Sequence, residues 1–175
     1  GMDHAQARDV IYTPLDTDKL AQQLEQRGFC TRRAWSQAAD RVEYLHRPDL
    51  GRRLDAACIV GLRETASAST RLSVVVADGL SSLAPAQHAL PLLGELKARL
   101  GDWELDDIVI ATQARVALGD EIGSLRRAEA VAVLIGERPG LNAADSLGVY
   151  LTYAPAAGRT DADRNCISNI RPAGL

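Results

Sequence analysis

The chain has 175 residues, 46% of them apolar and 25% charged, a composition that excludes a disordered tail, a collagen and a low-complexity polymer. At this length the prior is one domain with its own core. Twenty basic against 23 acidic residues give a net charge of −3, so no basic field recruits nucleic acid, and seven aromatics are few for a base-stacking platform. Three dispersed cysteines, Cys30, Cys58 and Cys166, make neither a disulfide framework nor a CxxC zinc site and suit a reducing cytoplasm. The longest clean apolar run, Ala130 to Ile135, is far short of the ~18 residues of a membrane span. The polar, acidic start gives no expectation of a signal peptide.

In chain order, Asp16 or Thr17 caps a helix that carries Leu20 and Leu24 and ends at Gly28. Phe29 to Trp35 is a weak strand candidate. Pro48 opens a further helix, in which Leu50, Leu54, Ala57, Cys58, Gly61 and Leu62 trace one stripe and Arg52 and Arg53 fall on a solvated face. From Leu72 onward short apolar runs alternate with helices. Val74 to Ala77 is the first such strand, of the kind buried on both faces of a parallel sheet. The helix after it has Pro85 near its start, Ala89, Leu92, Leu93, Leu96 and Leu100 on one side, and Gly101 as its stop. Pro91 inside it predicts a kink or a restart. Ile108 to Ala111 is the second strand. Asp120 and Glu121 open a short helix that ends in Arg126 and Arg127, a charge order suited to the helix dipole. Ala130 to Ile135 is the third strand and Val149 to Tyr153 the fourth. The alternation predicts βαβ units. The expected fold class is α/β: a Rossmann-like open, mostly parallel sheet flanked by helices. A mainly helical segment over residues 2–70 precedes the sheet lobe over 71–175, in one compact domain.

Ligands of such sheets bind beyond the carboxyl ends of the strands. Here those ends are Asp78-Gly79-Leu80-Ser81, Gln113-Ala114-Arg115-Val116 and Gly136-Glu137-Arg138-Pro139-Gly140. The polar segment Arg164 to Asn169 follows the fourth strand and is placed to reach the same rim. Neither GxGxxG after the first strand nor GxxxxGK[ST] is present. Asp78-Gly79 with Ser81-Ser82 is as compatible with a plain turn and cap as with a weak anion site. Glu137 and Arg138 at a strand end suit a binding loop, and an internal pair of Glu137 with Arg138 or Arg115 explains them equally well. Cys166 has no histidine near it in sequence, which favours a small apolar contact over a nucleophile. No Ser/His/Asp signature and no metal-ligand spacing occur, so neither a catalytic nor a metal-binding residue is expected.

Six segments have meaning together: Tyr44 to Leu54, Ala77 to Ser81, His88 to Leu93, Gly-Asp-Glu-Ile-Gly at 119–123, Ile-Gly-Glu-Arg-Pro-Gly at 135–140 and Asp-Arg-Asn-Cys-Ile-Ser-Asn-Ile-Arg at 163–171. From about residue 3 to the end, the chain resembles the small (light) subunit family of ethanolamine ammonia-lyase. That resemblance implies an adenosylcobalamin-dependent carbon–nitrogen lyase, active only as a complex with a large subunit. The large subunit binds ethanolamine and houses the radical chemistry that yields acetaldehyde and ammonia. The small subunit closes a Rossmann-like lobe over the cobalamin, and the hard chemistry is the cofactor's. Carried over by motif, the cobalamin contacts are Val116 in the Arg-Val segment, Glu137 of Gly-Glu-Arg-Pro-Gly and Cys166 of Asn-Cys-Ile-Ser-Asn.

The cobalt is expected to keep the cofactor's own dimethylbenzimidazole. Displacement by a protein histidine needs Asp two residues before it, and Met2, Tyr44 and Ala86 stand there for His4, His46 and His88. The expected location is cytoplasmic, and the sequence leaves open whether a bacterial microcompartment encloses the enzyme. Against the family pattern, an N-terminal stretch and a helix after the Cys-Ile-Ser-Asn motif are lacking here, from which weaker docking to the large subunit is expected. The alternative is a stand-alone nucleotide- or anion-binding α/β module built on Gly-Glu-Arg-Pro-Gly.

Overall fold

The computed structural model describes residues 9–100, 104–139 and 145–170. Helix α1 (Thr17–Gln26) starts where the Asp16 carboxylate accepts from the Lys19 N–H at 3.1 Å. The weak strand candidate is a strand, β1 (Thr31–Trp35). Helix α2 (Arg41–His46) is capped by Asp40, and a single turn, α3 (Pro48–Gly51), follows it. The stripe that begins at Leu50 is not one helix. Leu54 leaves the turn to form an antiparallel bridge with Ser36, and the Asp55 carboxylate then caps a new helix, α4 (Ala56–Glu64), from the Ala57 N–H.

The second half alternates as expected: β2 (Leu72–Ala77), α5 (Leu83–Leu100), β3 (Ile108–Thr112), α6 (Val116–Leu125) and β4 (Ala130–Gly136). Helix α5 runs through Pro91 as one element; Gly101, its expected stop, lies outside the described residues. Helix α6 begins at Val116 rather than at Asp120, so Asp120 is a mid-helix residue, 2% exposed and paired with Arg164. Arg126, expected on a helix end, is 1% exposed against Asp106. Two strands close the chain, β5 (Leu147–Tyr153) and β6 (Arg164–Ile170); the polar segment at 164–169 belongs to the latter.

All six strands form one sheet in the order β1-β3-β2-β4-β5-β6. The β1–β3, β3–β2 and β2–β4 pairings are parallel, and β4–β5 and β5–β6 are antiparallel. The α/β class with flanking helices is therefore observed, in a mixed sheet that sets three parallel pairings beside two antiparallel ones. Chain length explains the change of direction. Thirty residues separate β2 from β3 and 17 separate β3 from β4, whereas only ten separate β4 from β5 and ten β5 from β6. A parallel return needs a crossover of about a dozen residues or more.

The apolar runs are continuous because both faces are covered. On one face Val74, Val76, Ile108, Ile110 and Leu134 pack with Leu20 and Leu24 of α1 and Ala89 and Leu93 of α5. On the other, Val75, Ala77, Val109, Ala111 and Val133 pack with Cys58 and Leu62 of α4 and Leu118 and Ile122 of α6. Helices α5 and α6 thus leave β2 and β3 toward opposite faces. That opens a crevice at the carboxyl ends of β2, β3 and β4, where the strand order reverses.

Candidate functional site

The floor of this crevice is polar and closed. Asp78, directly after β2, is 1% exposed, and a buried charge needs partners. Its Oδ1 accepts from the Gly79 N–H (2.8 Å) and the Ala114 N–H (3.1 Å), and its Oδ2 from the Gln113 N–H (2.7 Å) and Arg41 Nη1 (3.1 Å). Burial pushes the carboxyl up; Arg41 and the three backbone donors pull it back. Both oxygens face N–H groups, so the ionised carboxylate is the form that fits. Arg41 also donates to the carbonyls of Gly79 (2.6 Å) and Ile11 (2.9 Å) and to Gln113 Oε1 (3.1 Å). One ion pair therefore ties α2 and the residues ahead of α1 to the ends of β2 and β3.

The turn after β2 touches the end of β4 with no side chain between them. Leu80 N–H donates to the Gly136 carbonyl at 2.9 Å. Gly79 sits at φ +58°, and a Cβ there would collide with the Gly136 carbonyl oxygen. A Cβ on Gly136 would collide with that of Ser81.

Above the floor lies a cleft of about 160 Å³. Gly79 and Leu80 reach it from β2, Arg115 and Val116 from β3, and Ile135 and Glu137 from β4. Tyr44 and Tyr150 complete its wall. Val116 and Glu137, singled out in the sequence, thus meet in one cleft although 21 positions apart. Cys166 is not among its lining residues. It is exposed on β6, in register with Tyr150, which does line the cleft.

Glu137 does not form the internal pair with Arg115. Its Oε1 accepts from Ser146 Oγ at 2.9 Å, while Arg115 Nη2 donates to the Tyr44 carbonyl at 2.9 Å and its guanidinium stacks on the Tyr44 ring at 4.5 Å. Arg138 is exposed, and Gly140, the last residue of its motif, lies outside the described residues.

Neither tyrosine is expected at the site from the sequence, where Tyr44 opens the 44–54 segment and Tyr150 falls in the fourth strand, since nothing in their spacing sets them apart. Tyr44 is held between two guanidiniums, Arg41 at 4.6 Å and Arg115 at 4.5 Å, and its hydroxyl donates to the Ala114 carbonyl at 3.1 Å. Burial, with the nearby Asp78 charge, pushes its phenol up. The one available signal was a large aromatic inside the polar helix Arg41–His46. Tyr150 is pushed up to about 12, first by burial, then by Cys166 beside it, with Glu137 adding to the effect. This couples Tyr150 to both of the outer candidates, Glu137 and Cys166.

The donor set can accept N–H groups at Glu137 and pack an apolar edge on Val116, Ile135 and Tyr150. Among the described residues no histidine lines the cleft; His88 lies on α5, with Nε2 3.3 Å from Asp145 Oδ2. Among the described residues no group of three or more His, Cys, Asp or Glu is arranged to hold a metal, and no helix is long and apolar enough to cross a membrane. Among the described residues the cleft has no nucleophile with a base beside it.

Residues 1–175 match the family described as "Ethanolamine ammonia-lyase light chain (EutC)". Three similar curated proteins bear the name ethanolamine ammonia-lyase small subunit. That of Bradyrhizobium diazoefficiens is 50% identical over 177 aligned residues, covering 99% of this chain and 68% of the relative. That of Pseudomonas aeruginosa is 52% identical, over 98% of this chain and 65% of the relative. That of Ralstonia nicotianae is 49% identical, over 98% and 66%. The chain spans about two thirds of the length of these relatives. With half of all positions identical across nearly the whole chain, it belongs to the ethanolamine ammonia-lyase light-chain family.

Proposed function

We infer that this chain is the small subunit of an adenosylcobalamin-dependent ethanolamine ammonia-lyase. In this reading a large subunit binds ethanolamine and converts it to acetaldehyde and ammonia, and this chain holds the cobalamin against it in the cytoplasm. Residues 71–175 act as the cobalamin lobe and residues 2–70 as its mainly helical shoulder. The observation that carries the reading is that Val116 and Glu137, brought from the ends of two different strands, line one cleft, with Cys166 across from its Tyr150 wall.

The residues suit the group they are assigned. A corrin is fringed with amide side chains, whose N–H groups match the Glu137 carboxylate as acceptor. Its apolar rim suits Val116, Ile135 and Tyr150. The cleft of about 160 Å³ is several times smaller than a corrin, so this chain grips one edge and leaves the remainder to a partner surface. When bound, the cofactor supplies the radical chemistry, and the side chains here supply position.

Titration of cobalamin by its visible spectrum, with the chain alone and with the large subunit added, tests the reading. Binding is expected to be strongest with both chains, and ethanolamine turnover only with both. Steady turnover by this chain and adenosylcobalamin without a large subunit overturns it.

A further inference from the structure

Next to the cleft lies a larger cavity of about 380 Å³, which of the cobalamin contacts above includes Val116 alone. Arg115 and Val116 line both, so the two adjoin. Arg52, Arg159 and Arg164 line the larger one, with Asp161 as its single carboxylate. Asp161 and Asp120 neutralise Arg164, which they bind on Nη1 and Nη2. No carboxylate binds the other three directly, although the charges of Asp120 and Asp163 act on Arg159. Among the described residues Arg52, Arg115 and Arg159 have no ion-pair partner, although Arg115 donates to the Tyr44 carbonyl and Arg159 to the Ala154 carbonyl.

Guanidiniums without a direct ion-pair partner around one cavity repel one another, and an anion placed among them relieves that. The backbone points the same way. The cavity opens at the start of the ten-residue helix α6, where Arg115 supplies no side-chain cap and both Val116 and Ala117 line the cavity wall. Such a helix start presents free N–H groups and the positive end of the dipole. Two guanidinium N–H groups are also left over. The Nε atoms of Arg115 and of Arg164, whose side chain is 3% exposed, are buried and without a partner. Buried N–H groups of this kind are rare, and an oxyanion satisfies them. The Arg115 guanidinium is already stacked on Tyr44, so a small turn of the side chain brings its Nε to the cavity.

We propose that this arginine-lined cavity is a phosphate-ester subsite. Resting on the cobalamin reading, its ligand is the phosphodiester of the cofactor's nucleotide loop, which reaches the start of α6 while the corrin edge lies against Glu137. A free phosphate or nucleotide shares the same chemistry, and the experiment separates the two sources.

The first arm uses inorganic phosphate and the purified chain, observed by amide and arginine Nε resonances. Saturable shifts are expected at Val116, Ala117 and the Nε of Arg115, absent with chloride at equal ionic strength. Arg52→Gln and Arg159→Gln, which leave the Arg164 pairs and the Arg115 stack in place, should each weaken the phosphate effect about tenfold. No shift at those groups, or an equal shift with chloride, overturns the subsite. The second arm compares cobalamin with cobinamide, the same corrin without its nucleotide and phosphate, by visible-spectrum titration with the large subunit present. Added phosphate, and the same two variants, should weaken cobalamin binding about tenfold and leave cobinamide binding unchanged. Equal effects on both, or none on either, assign the subsite to a free phosphate and overturn the cofactor assignment. If phosphate binds and neither corrinoid does, the cobalamin reading fails while the anion site stands.

Discussion

At the amino end of β3, Arg126 and Asp106 form a buried ion pair; at the carboxyl end of β2, Arg41 and Asp78 form another. In the first, Arg126 Nε and Nη2 donate to the two Asp106 oxygens at 2.7 and 2.8 Å, and Nη1 donates to the Leu62 carbonyl (2.8 Å) and Thr65 Oγ1 (2.6 Å). That pair joins the ends of α4 and α6 to the entry of β3, with every nitrogen of the guanidinium engaged by the protein. The second pair is as well satisfied, but it floors a cleft. Directly above it Arg115 keeps an unpartnered Nε, and Glu137, which accepts from Ser146, lines the cleft. The same two residue types thus pin the fold at one end of the sheet and support a site at the other. What distinguishes the ends is whether the next layer of polar groups finds its partners inside the chain.

The comparison breaks most sharply at Arg126. Arg126→Met should cost about 4 kcal/mol in urea unfolding, because Asp106 is left buried and unpaired. Adding Asp106→Leu should recover most of that loss, since an apolar pair replaces a buried ion pair at little cost. The cleft resonances at Gly79 and Val116 should not move in the folded fraction. A single mutant of unchanged stability would mean that the pair pins nothing.

Asp78→Asn tests the other end. One Asn oxygen cannot satisfy four donors, and its NH₂ faces N–H groups, so a loss of about 2–3 kcal/mol is expected. Here, unlike at Arg126, the amide resonances of Val116 and Glu137 should shift as the floor loosens. Shifts confined to the core strands would contradict the division between the two ends.

Glu137→Gln should leave unfolding almost unchanged. It should weaken cobalamin retention in the assembled enzyme about ten- to a hundredfold, the worth of one charge-assisted hydrogen bond. A mutant that melts early yet keeps its affinity would make Glu137 part of the scaffold.

The smallest effect is expected beside Cys166. The Tyr150 phenol is pushed up from 10 to about 12, so between those values the unfolded chain loses a proton that the folded chain keeps. Stability from this group is complete below pH 10 and declines as pH rises toward 12. Phenolate absorbance, compared with Tyr150→Phe, should show this late titration. Cys166→Ser should bring it slightly earlier while cobalamin binding and turnover persist. Complete loss of turnover with the cofactor still bound would give the thiol a chemical role.

Periodicity and composition alone determined where β2, β3 and β4 lie, because strands buried on both faces must be apolar throughout. They also set Val116 and Glu137 at strand ends, since ligand loops follow from that topology. Three things depended on the tertiary structure. The direction of β5 and the strand character of Arg164–Ile170 follow from pairing, because an edge strand may be polar and carries no apolar run. Asp120 and Arg126 read as the opening and closing charges of a short helix, and both are buried by partners far along the chain, Arg164 and Asp106. The Tyr44 stack and the meeting of Arg52, Arg115 and Arg159 at one cavity join residues up to 107 positions apart. Spacing tells which face of its own element a residue takes; which distant residue it meets is set only when the layers pack.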